Sequence, residues 1–196
     1  MTKFITILNT EAGNLFSLSA ALKAIGFDVV IANTPSEVKG SQLVIPGQGR
    51  FGTVMQTLES NNWLPFLDQW RKEQKQVVGI CVGMQILFED SAEDNNTKGL
   101  GWFKGRAEKL NFPKQPMVGW ANISSSRLPE GAAYFVNSYA IRDASQCIAR
   151  THYGESFCAA VNDKTITGLQ FHPEKSGQYG RQLLKTLLIT NFKENS

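Results

Sequence analysis

Cysteine and histidine are scarce in this 196-residue chain: three cysteines (Cys81, Cys147, Cys158) and two histidines (His152, His172). The cysteine count is odd and no C-x-x-C pair occurs, which argues against a disulfide framework and for a reducing compartment. So few ligands leave no spacing for a metal site, and no cofactor is expected. No apolar run approaches the ~18 residues needed to span a bilayer. Residues 1–7 carry one lysine and too short an apolar stretch for a signal peptide, so a cytoplasmic protein without a membrane partner is expected. An excess of one charge is also missing: 20 Lys and Arg against 17 Asp and Glu give +3. The densest basic run, residues 71–75, contains Glu73 and reads as a solvated helix end, so no nucleic-acid partner is expected. Internal repeats, linkers and low-complexity tracts are absent. With 42% apolar and 19% charged residues, the composition predicts one globular domain over 1–196.

What is present begins as an alternation of strand and helix patterns. Phe4-Ile5-Thr6-Ile7-Leu8 reads as a buried strand. Leu15, Leu18, Leu22 and Ile25 recur at helical spacing, and Gly26 stops that helix. Asp28-Val29-Val30-Ile31-Ala32 reads as a second strand. Thr34-Pro35-Ser36-Glu37 has the form of a capping box opening a second helix. Leu43-Val44-Ile45 is a third strand. The alternation predicts an α/β fold: an open, mostly parallel sheet with right-handed crossovers and helices on both faces. Helical patterns fill residues 52–75, with Pro65 opening a new helix. Beyond Gly99, short aromatic and β-branched runs (Tyr134-Phe135-Val136, Cys147-Ile148-Ala149, residues 157–161) predict an antiparallel extension of the sheet. A last helix is expected from Gly180 to Phe192.

The stretch with chemical character is Gly79-Ile80-Cys81-Val82-Gly83-Met84-Gln85. It comes after the strand-like Val77-Val78 and precedes Ile86-Leu87-Phe88-Glu89, which reads as a helix. Glycines at −2 and +2 of the cysteine match the spacing of a nucleophile elbow, a turn too tight for flanking side chains. A thiol at a helix N-terminus is biased toward the thiolate, and the Val82 N–H could hold a developing oxyanion. The glycine-rich Pro46-Gly47-Gln48-Gly49 closes the third strand on the same sheet edge, where its backbone could approach a carbonyl closely.

A thiol nucleophile needs a base. His152, in Thr151-His152-Tyr153-Gly154, reads as a strand or turn residue. His172 precedes Pro173, which biases it toward extended geometry, so His172 and Glu174 are expected to project together. Cys81, His172 and Glu174 then fill the roles of nucleophile, base and orienter.

These residues resemble the class I glutamine amidotransferases, which carry G-x-C-x-G-x-Q and, further along the chain, H-P-E. The resemblance is nearer still to the glutaminase subunits of imidazole glycerol phosphate synthases. It extends through Gly13-Asn14, residues 46–51, Val118-Gly119-Trp120, residues 134–139 and residues 170–176. It implies attack of Cys81 on the side-chain amide of L-glutamine, proton transfer by His172, orientation of His172 by Glu174, and hydrolysis of a thioester to glutamate. It further implies glutamine contacts from Gln85, Glu93, Ser138 and Tyr139, and an oxyanion pocket lined by Gly47, Gln48, Gly49 and Val82. A synthase or cyclase subunit would receive the ammonia, giving a heterodimer with its face near Asn14, Trp120 and Lys175.

Three departures from the family pattern surround the pocket: Asn9-Thr10-Glu11 replaces an aspartate-tyrosine-glycine run, Gln48 a valine, and Asn137 a histidine. Relatives of such subunits also serve other amidations, including those of bacterial surface sugars, which is the alternative pathway. Two alternative classes are a cysteine hydrolase acting on a peptide or small ester, and a binding module with an inactive site. A chain of this length filled by one such core is expected to leave no room for a synthase of its own. Ammonia in neutral water is mostly protonated, so a useful producer should dock against its consumer.

Overall fold

The computed structural model describes residues 3–11, 15–112 and 114–189. Strand β1 (Phe4–Leu8) leads through α1 (Leu15–Ala24) to β2 (Asp28–Ala32), then to β3 (Gln42–Ile45). Helices α2 (Phe51–Ser60) and α3 (Trp63–Lys72) precede β4 (Gln76–Ile80) and the single turn α4 (Val82–Gln85). Next come the short strands β5 (Asp90–Ser91) and β6 (Arg106–Lys109), then β7 (Met117–Ile123), β8 (Gly131–Asn137) and β9 (Tyr139–Ala140). The chain ends in β10 (Cys147–Tyr153), β11 (Glu155–Asp163), β12 (Ile166–Leu169), a 3₁₀ turn (Pro173–Lys175) and α5 (Gly177–Ile189).

Seven strands form the main sheet in the order β10-β11-β12-β4-β3-β1-β2. The pairings from β12 through β2 are parallel, and β11 and β10 extend the sheet antiparallel. The apolar runs of β1, β3, β4 and β12 are buried on both faces, as the middle of a parallel sheet requires. From β1 the chain crosses to β2 on one side, and from β3 to β4 on the other. Right-handed crossovers therefore put α1 and the α2–α3 pair on opposite faces, and α5 packs beside α1. Gly26, at φ 98°, closes α1: its N–H reaches the Lys23 carbonyl and the Phe27 N–H reaches that of Leu22, a glycine-terminated helix end. No helix among the described residues is long and apolar enough to cross a membrane.

Several local expectations are corrected. The Thr34 capping signal opens only a 3₁₀ turn (Pro35–Glu37), without a cap hydrogen bond from Thr34. The chain must reach β3 quickly, and Lys39 is held extended by its N–H and carbonyl on the Thr6 hydroxyl, at 2.9 and 2.8 Å. Helix α3 opens at Trp63, with Pro65 inside its first turn, where the missing N–H has no intrahelical role. The elbow helix covers 82–85 rather than 86–89, because the Leu100 and Phe103 N–H groups take the Ile86 and Leu87 carbonyls. Residues 134–136 lie in β8, which pairs with β7 as a separate ribbon and not with the main sheet. The last helix starts at Gly177, three residues early, and residues 190–192 of its expected span lie outside the described residues.

Candidate active site

Three neighbouring parallel strands, β3, β4 and β12, end on one sheet edge in matched register: Ile45 beside Gly79, Gly79 beside Gly168, Ile80 beside Leu169. The segments leaving these strands are therefore delivered to one place. After β3 comes Pro46-Gly47-Gln48-Gly49, after β4 comes Cys81, and after β12 come Gln170, Phe171 and His172. This is the carboxyl edge of an open α/β sheet, where ligands bind in such folds.

Cys81 turns at φ 54°, ψ −110°, a left-handed conformation that costs a non-glycine residue on the order of 1–3 kcal/mol. Its N–H is tied to the Leu169 carbonyl at 2.7 Å, so β12 holds the apex. The flanking glycines have steric causes: a Cβ on Gly79 would stand 2.3 Å from the Gly83 carbonyl oxygen, and one on Gly83 would stand 2.0 Å from that of Ile45. Gly47 is packed as tightly, with a Cβ position 2.2 Å from the Gly83 nitrogen. The glycine of the loop after β3 is thus needed for its approach to the elbow.

His172 is buried, with φ −98° and ψ 96°. Strand β8 fixes it: the His172 N–H donates to the Tyr134 carbonyl at 2.9 Å, while the Ser176 hydroxyl donates to the His172 carbonyl at 2.7 Å and accepts from the Tyr134 N–H at 3.0 Å. His172 Nδ1 lies 2.9 Å from Glu174 Oε1. An ionised carboxylate only accepts, so it places the proton on Nδ1 and leaves Nε2 for another partner. The two side chains do project together, but through the 3₁₀ turn at Pro173–Lys175 and not along an extended strand.

Burial pushes the His172 imidazole toward the neutral form, but the Cys81 sulfur, as thiolate, and the Glu174 carboxylate outweigh it and raise the pKa to about 9. The folded protein thus holds this proton more tightly than the unfolded chain, whose histidine titrates near ~6.5. The stability it adds is fully present below that value and is lost as pH rises through about 9. In denaturant unfolding, wild type is expected to lose its stability margin over His172→Gln steadily between those limits; a margin independent of pH would contradict this coupling.

Cys81 and His172 line one cleft of about 460 Å³ together with Gly47, Gln48, Gly49, Val82, Gln85, Glu93, Ser138, Tyr139 and Lys175. Nearly all the residues singled out in the sequence thus meet there. Glu174 stands behind His172. Trp120 lies outside the cleft, 58% exposed, edge-on to Tyr134 at 6.0 Å. Asn14 lies outside the described residues. His152 is exposed on β10, away from the cleft, as its strand reading implies. A larger depression of about 930 Å³ beside α2 and α3 contains neither cysteine nor histidine and offers no nucleophile.

Hydrogen bonds bear on two of the expected roles. The Val82 N–H is aimed at the Gly47 carbonyl at 3.4 Å, a long hydrogen bond that competes with its use by an oxyanion. The Glu93 carboxylate caps α2, accepting from the Phe51 N–H at 2.8 Å, while Asp94 accepts from Gly52 at 2.9 Å and pairs with Arg50 at 2.7 Å. The loop carrying Glu93 is thereby clamped at the cleft edge, with Glu93 Oε1 outside that capping bond.

The sequence reading gave no role to Gln170, Val136 and Pro116. Gln170 is fully buried beside Cys81, and Val136 and Pro116 line the cleft. For Gln170 a signal existed: a glutamine two positions before His172, inside an otherwise apolar run, has to find buried partners. Val136 acts through its carbonyl, 3.7 Å from Cys81 Sγ, and no side-chain pattern announces that.

The glutamine amidotransferase class-I family model matches residues 6–191. The chain is 38% identical to a Shouchella clausii protein named imidazole glycerol phosphate synthase subunit HisH, over 92% of this chain and 95% of that one. It is 39% identical to a Sulfolobus acidocaldarius protein of the same name, over 91% and 94%. Among solved structures it superposes on one titled as a glutamine amidotransferase with a TM-score of 0.78 at 18% identity, covering 93% and 97% of the two chains. It matches PurLQS from Thermotoga maritima with a TM-score of 0.77 at 16% identity, covering 96% and 98%. A strand-edge elbow bearing Cys81, and a family match running almost end to end, lead to one assignment: this chain belongs to the class I glutamine amidotransferases.

Proposed function

We propose that the chain is the glutamine-hydrolysing subunit of an imidazole glycerol phosphate synthase, folded as one glutaminase domain, with Cys81, His172 and Glu174 as its catalytic residues. The supporting observation is the meeting of Cys81 and His172 in one cleft, with Glu174 2.9 Å behind the imidazole. Cys81 gives its proton to His172 Nε2 and attacks the carboxamide carbon of glutamine. The tetrahedral intermediate collapses as His172 returns the proton to nitrogen, releasing ammonia and leaving a thioester. Water, deprotonated by His172, then cleaves the thioester to glutamate and free thiol. Glu174 keeps the imidazole in one tautomer and one orientation.

Gln85, Glu93, Ser138 and Tyr139 are the glutamine contacts in this reading. Oxyanion stabilisation falls to the backbone around Val82 and Gly47–Gly49. While the Gly47 carbonyl competes for the Val82 N–H, a needed donor is weakened, so slow turnover is expected until that peptide moves. A docking partner is the natural agent of such movement and the consumer of the ammonia. The face beside the site suits one: Trp120 and Val118 are more than half exposed on β7, and Phe16 is 82% exposed on α1, which packs against the turn carrying Glu174. Lys175 adds a cation at the cleft mouth. The Shouchella clausii and Sulfolobus acidocaldarius relatives are each named as one subunit of a synthase, which supports a second synthase subunit, the cyclase in this reading, as that partner.

The test is glutamate release from glutamine with and without the candidate cyclase subunit. The cyclase is expected to co-elute with this chain and raise its turnover. Trp120→Ala should weaken that stimulation at least ~10-fold, as loss of an exposed aromatic anchor does at an interface, while unstimulated hydrolysis stays within about twofold because Trp120 lies outside the cleft. Hydrolysis unaffected by the cyclase, with no co-elution, would remove the pathway assignment; release from peptides or esters but not from glutamine would remove the glutaminase itself.

A further inference from the structure

Beneath the cleft, two buried glutamines connect its floor to the nucleophile. Gln85 and Gln170 are respectively 3% and 0% exposed. The Gln85 Nε2 donates to the Tyr139 peptide carbonyl at 2.9 Å and to Gln170 Oε1 at 3.1 Å, and Gln170 Nε2 lies 3.7 Å from Cys81 Sγ.

The direction of this chain is imposed from one end. A peptide carbonyl can only accept, so Gln85 must turn its amino group toward Tyr139. The same amino group then faces Gln170 and demands an acceptor, so Gln170 must present its oxygen there. What remains to face the sulfur is the Gln170 amino group. Reversing Gln170 would set N–H₂ against N–H₂ and a carbonyl against the sulfur, stranding buried polar groups.

On its other side the sulfur meets the Val136 carbonyl at 3.7 Å, an acceptor that suits the thiol and opposes the thiolate. Gln170 supplies the opposite bias. We propose that Gln170 is a positioning residue for Cys81: its amino group holds the sulfur and favours the thiolate, and its orientation is dictated by the Tyr139 carbonyl through Gln85. This rests on Cys81 being the nucleophile and extends that reading to what prepares the nucleophile. Because Gln85 and Tyr139 line the cleft while Gln170 lies beneath it, whatever displaces Gln85 reaches the sulfur through Gln170.

The titratable groups around Cys81 are His172, with Glu174 behind it, and Glu93, Tyr139 and Lys175 across the cleft. All of them are retained in the test. The rate of Cys81 alkylation by iodoacetamide is measured against pH, with mass spectrometry of the Cys81 peptide separating it from Cys147 and Cys158. Gln170→Met keeps the volume and removes the donor. It is expected to raise the alkylation midpoint by about one pH unit, the scale of one hydrogen bond to an ion. Its kcat for glutamine should fall about tenfold with KM within about twofold, since uniform binding is untouched.

Gln85→Met should raise the midpoint by a smaller amount, and the double variant should match Gln170→Met alone, because the two residues act in series. Gln170→Asn, one methylene shorter, withdraws the donor while keeping a polar core; it must show the same rise if the methionine variant does not fold. An unchanged midpoint in either folded variant, or additive shifts in the double, overturns the proposal. Full hydrolysis by Cys81→Ala would instead overturn the nucleophile assignment, and the alkylation series on the intact cysteine reads the relay independently of it.

Discussion

Cys81→Ser is expected to abolish glutamine hydrolysis, by a factor of at least ~10³, while leaving the fold and its melting transition in place. A hydroxyl is smaller than a thiol, so the buried apex accepts the exchange without a clash. The chemistry does not. A serine hydroxyl is a far weaker acid than a thiol, and the surrounding contacts are set for sulfur, with Val136 and Gln170 both at 3.7 Å. His172 is also pulled toward its protonated form by its neighbours, which suits a thiolate–imidazolium pair and not deprotonation of an alcohol. The backbone strain at φ 54° gives an independent second reading. Cys81→Gly should be equally inactive yet more stable than Cys81→Ala by about 1 kcal/mol, because both lose the buried sulfur and only glycine adopts this conformation at no steric cost. Measured glutamate release and thermal unfolding separate the two effects. Wild-type hydrolysis in Cys81→Ser would place the nucleophile elsewhere.

Much of this site was written in local spacing. Gly79, Cys81 and Gly83 specify a strand, an apex and a helix start with no knowledge of the rest of the chain, and the elbow stands where they put it. Pro173 likewise marks His172 and Glu174 as a unit, although the chain joins them by a 3₁₀ turn and not by extension. What local spacing cannot hold is the identity of neighbours from other strands. The alternation in residues 134–136 is the same for any half-buried antiparallel strand, so it could not reveal that β8 leaves the main sheet to pair with β7 and pin His172 from behind. Thr34 and Glu37 satisfied the local rule for a helix start, yet Lys39 was already claimed by Thr6 on a distant strand. Gln170 was visible as a buried amide, but its direction depends on the Tyr139 carbonyl two contacts away. The engaged Val82 N–H is a backbone state set by Gly47, which side-chain patterns do not report.

The same division between local and distant causes makes Gly83→Ala the most damaging small substitution expected here. A methyl group on Gly83 would stand 2.0 Å from the carbonyl oxygen of Ile45 and 2.9 Å from its carbon. Both are backbone atoms of β3, a strand bonded on both sides by β1 and β4, so neither can yield the way a flexible side chain does. Either α4 lifts away from β3, carrying Cys81 off the Leu169 carbonyl that anchors it, or the strand order is disturbed. Overpacking against an immobile neighbour is expected to cost about 3 kcal/mol or more, a fall in Tm on the order of 10 °C for a chain of this size. Glutamine hydrolysis should fall with it even where the variant folds. Gly101→Ala is the matched control. Gly101 sits at φ 62° with nothing within 4 Å of its Cβ position, so only conformational strain remains, about 1 kcal/mol. If Gly83→Ala melts no lower than Gly101→Ala, the close approach to the Ile45 carbonyl is not what excludes a side chain at Gly83. If it melts far lower and hydrolysis fails, the approach of the elbow to β3 is what holds the sulfur at the sheet edge.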